Sequence, residues 1–136
     1  MGFFTSLETS LSAVEAARAR MEACSSNLAN ADSSAPDDAS LYRVRRILLR
    51  EASGLAGPGR PAGVSYQWQE LDQAARLVYD PDHPDADQAG LVRYPEVDMI
   101  QEMAELMAAR RAYEAGLTVY SEARALFLKS LEIGRA

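Results

Sequence analysis

A chain of 136 residues, 48% hydrophobic and 25% charged, has the composition of one ordinary globular domain and not of a disordered segment. Its net charge of −6 and pI near 4.8 argue against a nucleic-acid binder, which presents a basic face. No apolar run approaches the roughly 20 residues that span a bilayer, and no basic stretch runs into an apolar one at the N-terminus, so neither membrane insertion nor a cleaved signal peptide is expected.

The first helix is expected from about Phe3 to Asn30. Gly2 followed by Ser6 formally fits a myristoylation pattern, a short match that we read as chance. Thr5 and Glu8 form a capping box that would open the helix. Leu7, Leu11, Val14, Ala17, Met21, Cys24 and Leu28 then share one face. Glu8, Glu15 and Glu22, seven apart, mark a neighbouring face, either a solvated surface or the complement of another subunit. Cys24 is the only cysteine, and its place between Met21 and Leu28 makes it a packed thiol without the basic partner a nucleophile needs. Ser26-Asn27-Leu28-Ala29-Asn30-Ala31-Asp32 is rich in residues that suit a helix end. Pro36 and Asp37-Asp38 continue as loop.

The middle changes character. Leu41 to Glu51 mixes Tyr42, Val44, Ile47, Leu48 and Leu49 with Arg43, Arg45, Arg46 and Arg50, and reads as a strand with one basic side. Gly54, Gly57, Pro58, Gly59, Pro61 and Gly63 make a flexible connection. Val64 to Gln69 alternates as a half-buried strand does. Arg76 to Tyr79 and Leu91 to Tyr94 are short strands on either side of a turn-rich run from Asp80 to Asp87. That run is no calcium loop, because Pro81 and Pro84 break the ligand spacing and no bidentate glutamate follows. His83, the only histidine, and one distant cysteine cannot complete a zinc site. No metal, cofactor or catalytic residue is expected.

The second helix is expected from Asp98 to Ile133, with Asp98 and Gln101 as a capping pair after Pro95. Met99, Met103, Leu106, Tyr113, Leu117, Tyr120, Phe127 and Leu131 recur as one apolar stripe. Arg110 and Arg124 belong at its rim, with Ala109 and Ala123 inside. Glu102 and Glu105 read as surface charges on an amphipathic helix rather than as an acid–base pair.

These elements predict an α+β fold. Long N- and C-terminal helices pack as an antiparallel coiled-coil-like pair, and a small irregular β-rich region lies between them. The divisions fall at 1–32, 33–95 with a flexible loop over 53–63, and 96–136. Two helices packed on one stripe each leave other apolar faces without partners, and neighbouring copies can supply them.

Particular stretches also resemble a known family. Ser26-Asn27-Leu28-Ala29-Asn30-Ala31 is similar to the N-terminal signature of bacterial flagellar rod, hook and related axial proteins. Glu102-Met103, Ala109-Arg110 and Tyr113-Glu114-Ala115 resemble the matching C-terminal signature. The stretch from Val78 to Asp87, with Gly90-Leu91-Val92 and Pro95 to Asp98, is narrower and resembles the proximal members of the flagellar basal-body rod family. The resemblance leaves out about Ser33 to Gln73. It departs at Glu96 and Gly116, where the family commonly has Asn, and at Leu91, where it has Tyr. A mid-helix glycine costs about 1 kcal/mol relative to alanine, so Gly116 marks a bend or a close helix contact.

The resemblance implies a structural subunit of the rod, the drive shaft that crosses the periplasm and transmits torque to the hook. Such a subunit is no enzyme. It leaves the cell interior through the flagellar type III export apparatus, without a cleaved signal. It then assembles with other rod proteins and with copies of itself. The assembly residues would be Leu7, Leu11, Val14, Met21, Asn27, Leu28 and Asn30 on the first helix. On the second they would be Met103, Leu106, Tyr113, Leu117, Tyr120, Phe127 and Leu131. His83, Pro84, Asp85 and Asp87 would touch a neighbour, or else form a rigid turn that only joins two strands. The alternative is a secretion-associated coiled-coil adaptor or chaperone, separable by whether the chain enters a filament.

Overall fold

The computed structural model describes residues 2–52 and 63–135. The expected flexible loop thus lies outside the described residues, apart from its last residue, Gly63. In chain order the elements are α1 (Gly2–Ala29), β1 (Arg45–Glu51), β2 (Val64–Glu70), β3 (Arg76–Tyr79), β4 (Leu91–Tyr94) and α2 (Met99–Ile133). At 1.5 Å per residue α1 is about 42 Å long and α2 about 52 Å. They run antiparallel: Phe3 stacks on Phe127 at 4.9 Å, and at the far end Asn27 meets Glu102.

The helix ends show one expectation met and one overturned. Asp98 caps α2, its Oδ1 accepting from the Ile100 and Gln101 amides at 3.0 and 3.1 Å. Thr5 does not cap α1, because the helix already runs from Gly2. The Thr5 carbonyl instead accepts from the Thr9 hydroxyl at 2.8 Å inside the helix. Phe3 and Phe4 both lie on the Phe127 ring, and that packing carries the helix N-terminal to the residue where local hydrogen bonding would have begun it.

The side of α2 that packs keeps Leu106, Tyr113, Tyr120 and Phe127 of the expected stripe and loses its other members. The side that meets α1 consists of Glu102, Leu106, Ala109, Tyr113, Gly116, Tyr120, Ala123 and Phe127, in alternating steps of four and three. Met99, Met103, Leu117 and Leu131 are instead 48%, 53%, 42% and 51% exposed. Leu11 of α1 is exposed as well. The reason is the closeness of the helices. A Cβ on Gly116 would stand 2.5 Å from Val14 Cγ2, so Gly116 marks a helix contact and not a bend. Such an approach selects the side of α2 that carries Ala109, Gly116 and Ala123 at every seventh residue, interleaved with Leu106, Tyr113, Tyr120 and Phe127, and leaves the other apolar residues outward. Val14, Ala16, Ala17, Ala19, Ala23 and Ala109 are all buried. Ala109 and Ala123 lie inside and Arg110 and Arg124 outside, as the burial cost of an arginine requires.

The middle forms two separate antiparallel ribbons, β1–β2 and β3–β4. β1 pairs with β2 from Arg45↔Glu70 to Glu51↔Val64, and β3 with β4 from Arg76↔Tyr94 to Tyr79↔Leu91. Ala35 bridges to Arg93 beside β4. β1 begins at Arg45, later than the Leu41 expected. Its alternation puts Arg46 and Arg50 on one face and Arg45 on the other, so the strand has no single basic side. β2 is exposed along nearly its whole length and is not half-buried, because a two-stranded ribbon offers little to bury against. Among the described residues no buried apolar side chain is larger than valine. Many of the large apolar side chains, Ile100, Leu126 and Ile133 among them, stand on the outside.

Candidate functional site

The most constrained place in the molecule is where the end of α1, the start of β1 and the first turn of α2 converge. Asn27, in the last turn of α1, has no exposed surface. Its carboxamide oxygen accepts from the Arg45 amide at 2.8 Å and from the Tyr42 hydroxyl at 2.9 Å. Its amide nitrogen donates to the Arg45 carbonyl at 2.9 Å and to Glu102 Oε2 at 3.1 Å. All four hydrogen-bonding positions of the side chain are used. Towards β1 the carboxamide behaves as a neighbouring strand would, taking one N–H and offering one to the C=O of the same residue. Ser26 Oγ lies 2.8 Å from the Tyr42 oxygen. The Tyr42 proton goes to Asn27, so Ser26 is the donor of that pair.

Glu102 is 1% exposed, which corrects its reading as a surface charge. Its second oxygen pairs with Arg46. A buried carboxylate persists only when charge and hydrogen bonds compensate its desolvation. Arg46 supplies the charge and Asn27 the further bond. Glu105, one turn on, pairs with Arg20 at 2.7 Å, more exposed and so weaker. Cys24 packs beside this cluster. Burial and the Glu102 charge push its thiol up from 9.0 to about 11. It stays protonated and is not a nucleophile at neutral pH. No buried polar side-chain atom of the described residues lacks a partner, and no cluster of three or more His, Cys, Asp or Glu among them could hold a metal ion. The arrangement is chemically closed. What it can do is fix the end of α1, the start of β1 and the start of α2 in one register.

The expected assembly residues divide into three groups. Val14 and Asn27 are buried. Leu7, Met21, Leu28, Asn30, Leu106, Tyr113, Tyr120 and Phe127 are half-buried. Leu11, Met103, Leu117 and Leu131 face outward. Tyr42, Arg46 and Glu102 were not among the expected site residues. The sequence held a signal for Glu102, which stands seven residues before Ala109 and fourteen before Gly116, on the small-residue seam. Nothing local marked Arg46 or Tyr42.

The turn between β3 and β4 is held mainly by its own bonds. Asp80 N–H donates to the Gly90 carbonyl, Asp87 N–H to the Leu91 carbonyl and Gly90 N–H to the Asp87 carbonyl, each at 2.9 Å. His83 Nδ1 accepts from the Asp85 amide at 3.1 Å, and its ring stands edge-on to Tyr94. Asp85 accepts from Ser34 Oγ at 2.6 Å. Asp87 Oδ1 takes the Ala89 and Leu91 amides, and its other oxygen meets Arg93. These amides, that of Leu91 foremost, hold the Asp87 carboxyl below its ordinary range. The acids of the turn thus bind Ser34 and Arg93 and not the arginines of β1. Gly90 has a φ of +76°, and a Cβ there would meet the Tyr79 ring at 2.9 Å, so only glycine fits without strain.

Both helices match flagellar family models. Residues 7–34 match the family described as flagella basal body rod protein, and residues 88–133 match the flagellar basal body rod FlgEFG protein C-terminal family. Asn27 lies in the first match and Glu102 in the second, so the buried bond between them joins the two matched segments. The class is therefore that of flagellar axial proteins with paired terminal helices.

Whole-chain relatives narrow the class. The chain is 36% identical to the flagellar basal-body rod protein FlgC of Bacillus subtilis, over 99% of this chain and all of that one. It is 37% identical to FlgC of Yersinia enterocolitica and 35% to FlgC of Salmonella typhimurium, each over 91% of this chain and 92% of the relative. The chain belongs to the FlgC family of flagellar basal-body rod proteins.

Proposed function

We propose that this chain is a structural subunit of the proximal part of the flagellar rod. It assembles with other rod proteins, and with copies of itself, through its paired terminal helices. The resulting shaft crosses the periplasm and passes torque to the hook. Its role is mechanical and not catalytic. The subunit travels through the flagellar type III export apparatus without a cleaved signal, and works in three parts: 1–32, 33–95 and 96–136.

The observation that carries this reading is an inverted distribution of apolar side chains. Among the described residues the buried apolar side chains are no larger than valine, while Ile100, Met103, Met107, Leu117, Leu126 and Leu131 of α2 lie exposed. So many large apolar side chains left exposed along one helix suit a surface that packs against neighbouring subunits. The closed network at Asn27 and Glu102 supports the same reading, since a shaft needs subunits whose helices do not slide. An adaptor or chaperone would also expose apolar surface, but family membership favours the rod.

The test is deletion of the gene in its host, followed by microscopy of purified basal bodies. Basal bodies without a complete rod are expected. Intact rods in the deletion strain would overturn the proposal.

A further inference from the structure

The β1–β2 ribbon runs along α1 and is bonded to the helices at its two ends. At its base Val44 is buried. There Arg45 exchanges two backbone hydrogen bonds with the Asn27 side chain, and Arg46 pairs with Glu102. At its tip, where Glu51 faces Val64, the Val64 N–H donates to Ser12 Oγ at 2.9 Å. The Ser12 hydroxyl gives its own proton to the Thr9 carbonyl at 2.8 Å, which leaves its oxygen to accept. Gly63 completes this contact. Its φ is +36°, and a Cβ there would stand 2.8 Å from Ser12 Oγ, so glycine is required both by the backbone and by the space. The two spans agree. Ser12 to Asn27 covers fifteen residues of helix, about 22 Å, and the seven strand pairs cover about 20 Å. Between the ends, no hydrogen bond or ion pair joins the two strands to either helix among the described residues. Tyr66 and Trp68 are 42% and 41% exposed, and they line an open cleft with Glu15, Arg18, Ala19 and Glu22 of α1.

The two ties are unequal. The base is sealed, because Asn27 has no exposed surface and uses every hydrogen-bonding position. The tip rests on one neutral hydrogen bond that is only partly buried, and such a bond is exchanged for one to water at small net cost. We propose that the ribbon is a strap hinged at Asn27 and latched at Ser12, which lifts from α1 as a unit while the helix pair stays closed. The strand pairs hold β1 to β2 during the movement. The open cleft beside Tyr66 and Trp68 leaves little packed surface to separate. The ribbon thereby changes its angle to the helices without disturbing their register. Ser12 is a positioning residue, acting through Val64 and Gly63.

The experiment measures distances between two spin labels on the full chain by pulsed electron resonance. Glu8→Cys on α1 and Gln67→Cys on β2 place the labels at exposed sites, while Cys24 is buried and stays unlabelled in the folded chain. The labelled parent should show one main, short distance. Ser12→Ala removes the acceptor at the latch and should raise the ratio of long to short distances roughly fivefold. Gly63→Ala should raise it too by a different route, because it adds a clash and leaves the hydroxyl in place. Ser10→Ala is the control: its hydroxyl bonds to the Ser6 carbonyl within the helix, and its loss should leave the distances unchanged. Helix melting, followed by circular dichroism, should stay within a few degrees of the parent in all three. Distances unmoved by Ser12→Ala or by Gly63→Ala overturn the proposal, because packing and not the latch then holds the ribbon. An equal shift in Ser10→Ala, or a fall in melting that accompanies the longer distances, overturns it as well, because ribbon and helices then loosen together. Each such failure leaves the rod-subunit reading intact, since that is judged by rods in the deletion strain.

Discussion

Asn27→Asp isolates what the buried carboxamide does. The replacement is nearly isosteric, so packing against α2 and β1 is kept. Two donated bonds are lost, to the Arg45 carbonyl at 2.9 Å and to Glu102 Oε2 at 3.1 Å. A second carboxylate now stands against one that is 1% exposed. Each lost bond that leaves a buried acceptor short costs about 1–3 kcal/mol, and buried like charges add to that. A loss of about 3–5 kcal/mol at neutral pH follows, a large share of the stability of a chain this size. Urea unfolding followed by circular dichroism measures it. The deficit should shrink as pH falls through the range of the introduced carboxyl, because a protonated acid regains one donor. It should also shrink when Glu102→Gln is added, because the like charge is gone. The reasoning is refuted if Asn27→Asp lies within about 0.5 kcal/mol of wild type at pH 7, the usual range for surface substitutions, or if Glu102→Gln gives no relief.

Other outcomes follow from the same geometry. Gly116→Ala should gain up to about 1 kcal/mol of helix propensity yet lose about 1–3 kcal/mol to overpacking against the stiff Val14 side chain; thermal melting should fall, and Val14→Ala should recover part of it. The Cys24 thiol, with its pKa pushed up to about 11, should resist alkylation at pH 8 in the folded chain and react once urea separates the helices; it favours the folded state below pH 9, and that contribution is lost as pH rises from about 9 to 11. Leu117→Asp should leave the melting temperature of the isolated subunit within a few degrees of wild type, because the side chain is 42% exposed, yet abolish swimming; normal motility would remove this face from the assembly. The depressed Asp87 carboxyl contributes stability above the ordinary carboxylate range and loses it as pH falls through its folded value, so Asp87→Asn should flatten the acid limb of a melting-temperature profile. His83→Ala with Pro84→Ala separates the two roles of the turn: lost assembly at unchanged melting supports a neighbour contact, and lost melting or no effect removes it.

The sequence by itself determined the elements and their order. Helix period, the Asp98 cap, and the alternation at Val64 to Gln69 are local properties, set within a few residues by backbone geometry. The stretches around Asn27 and Glu102 also carried the family. Tertiary structure decided which faces meet. Hydrophobicity alone chose Met103, Leu117 and Leu131 for the stripe of α2, but the approach of Val14 to Gly116 admits only small residues at the crossing and sends those side chains outward. A charged residue on a helix reads as solvated until its partner is known. Arg46 lies 56 residues from Glu102 in the chain, so no local pattern could reveal the pair. Thr5 failed as a cap for the same reason, because Phe3 and Phe4 find Phe127 at the other end of the chain. Local preference fixed what each segment is, while contacts between distant segments fixed what it faces.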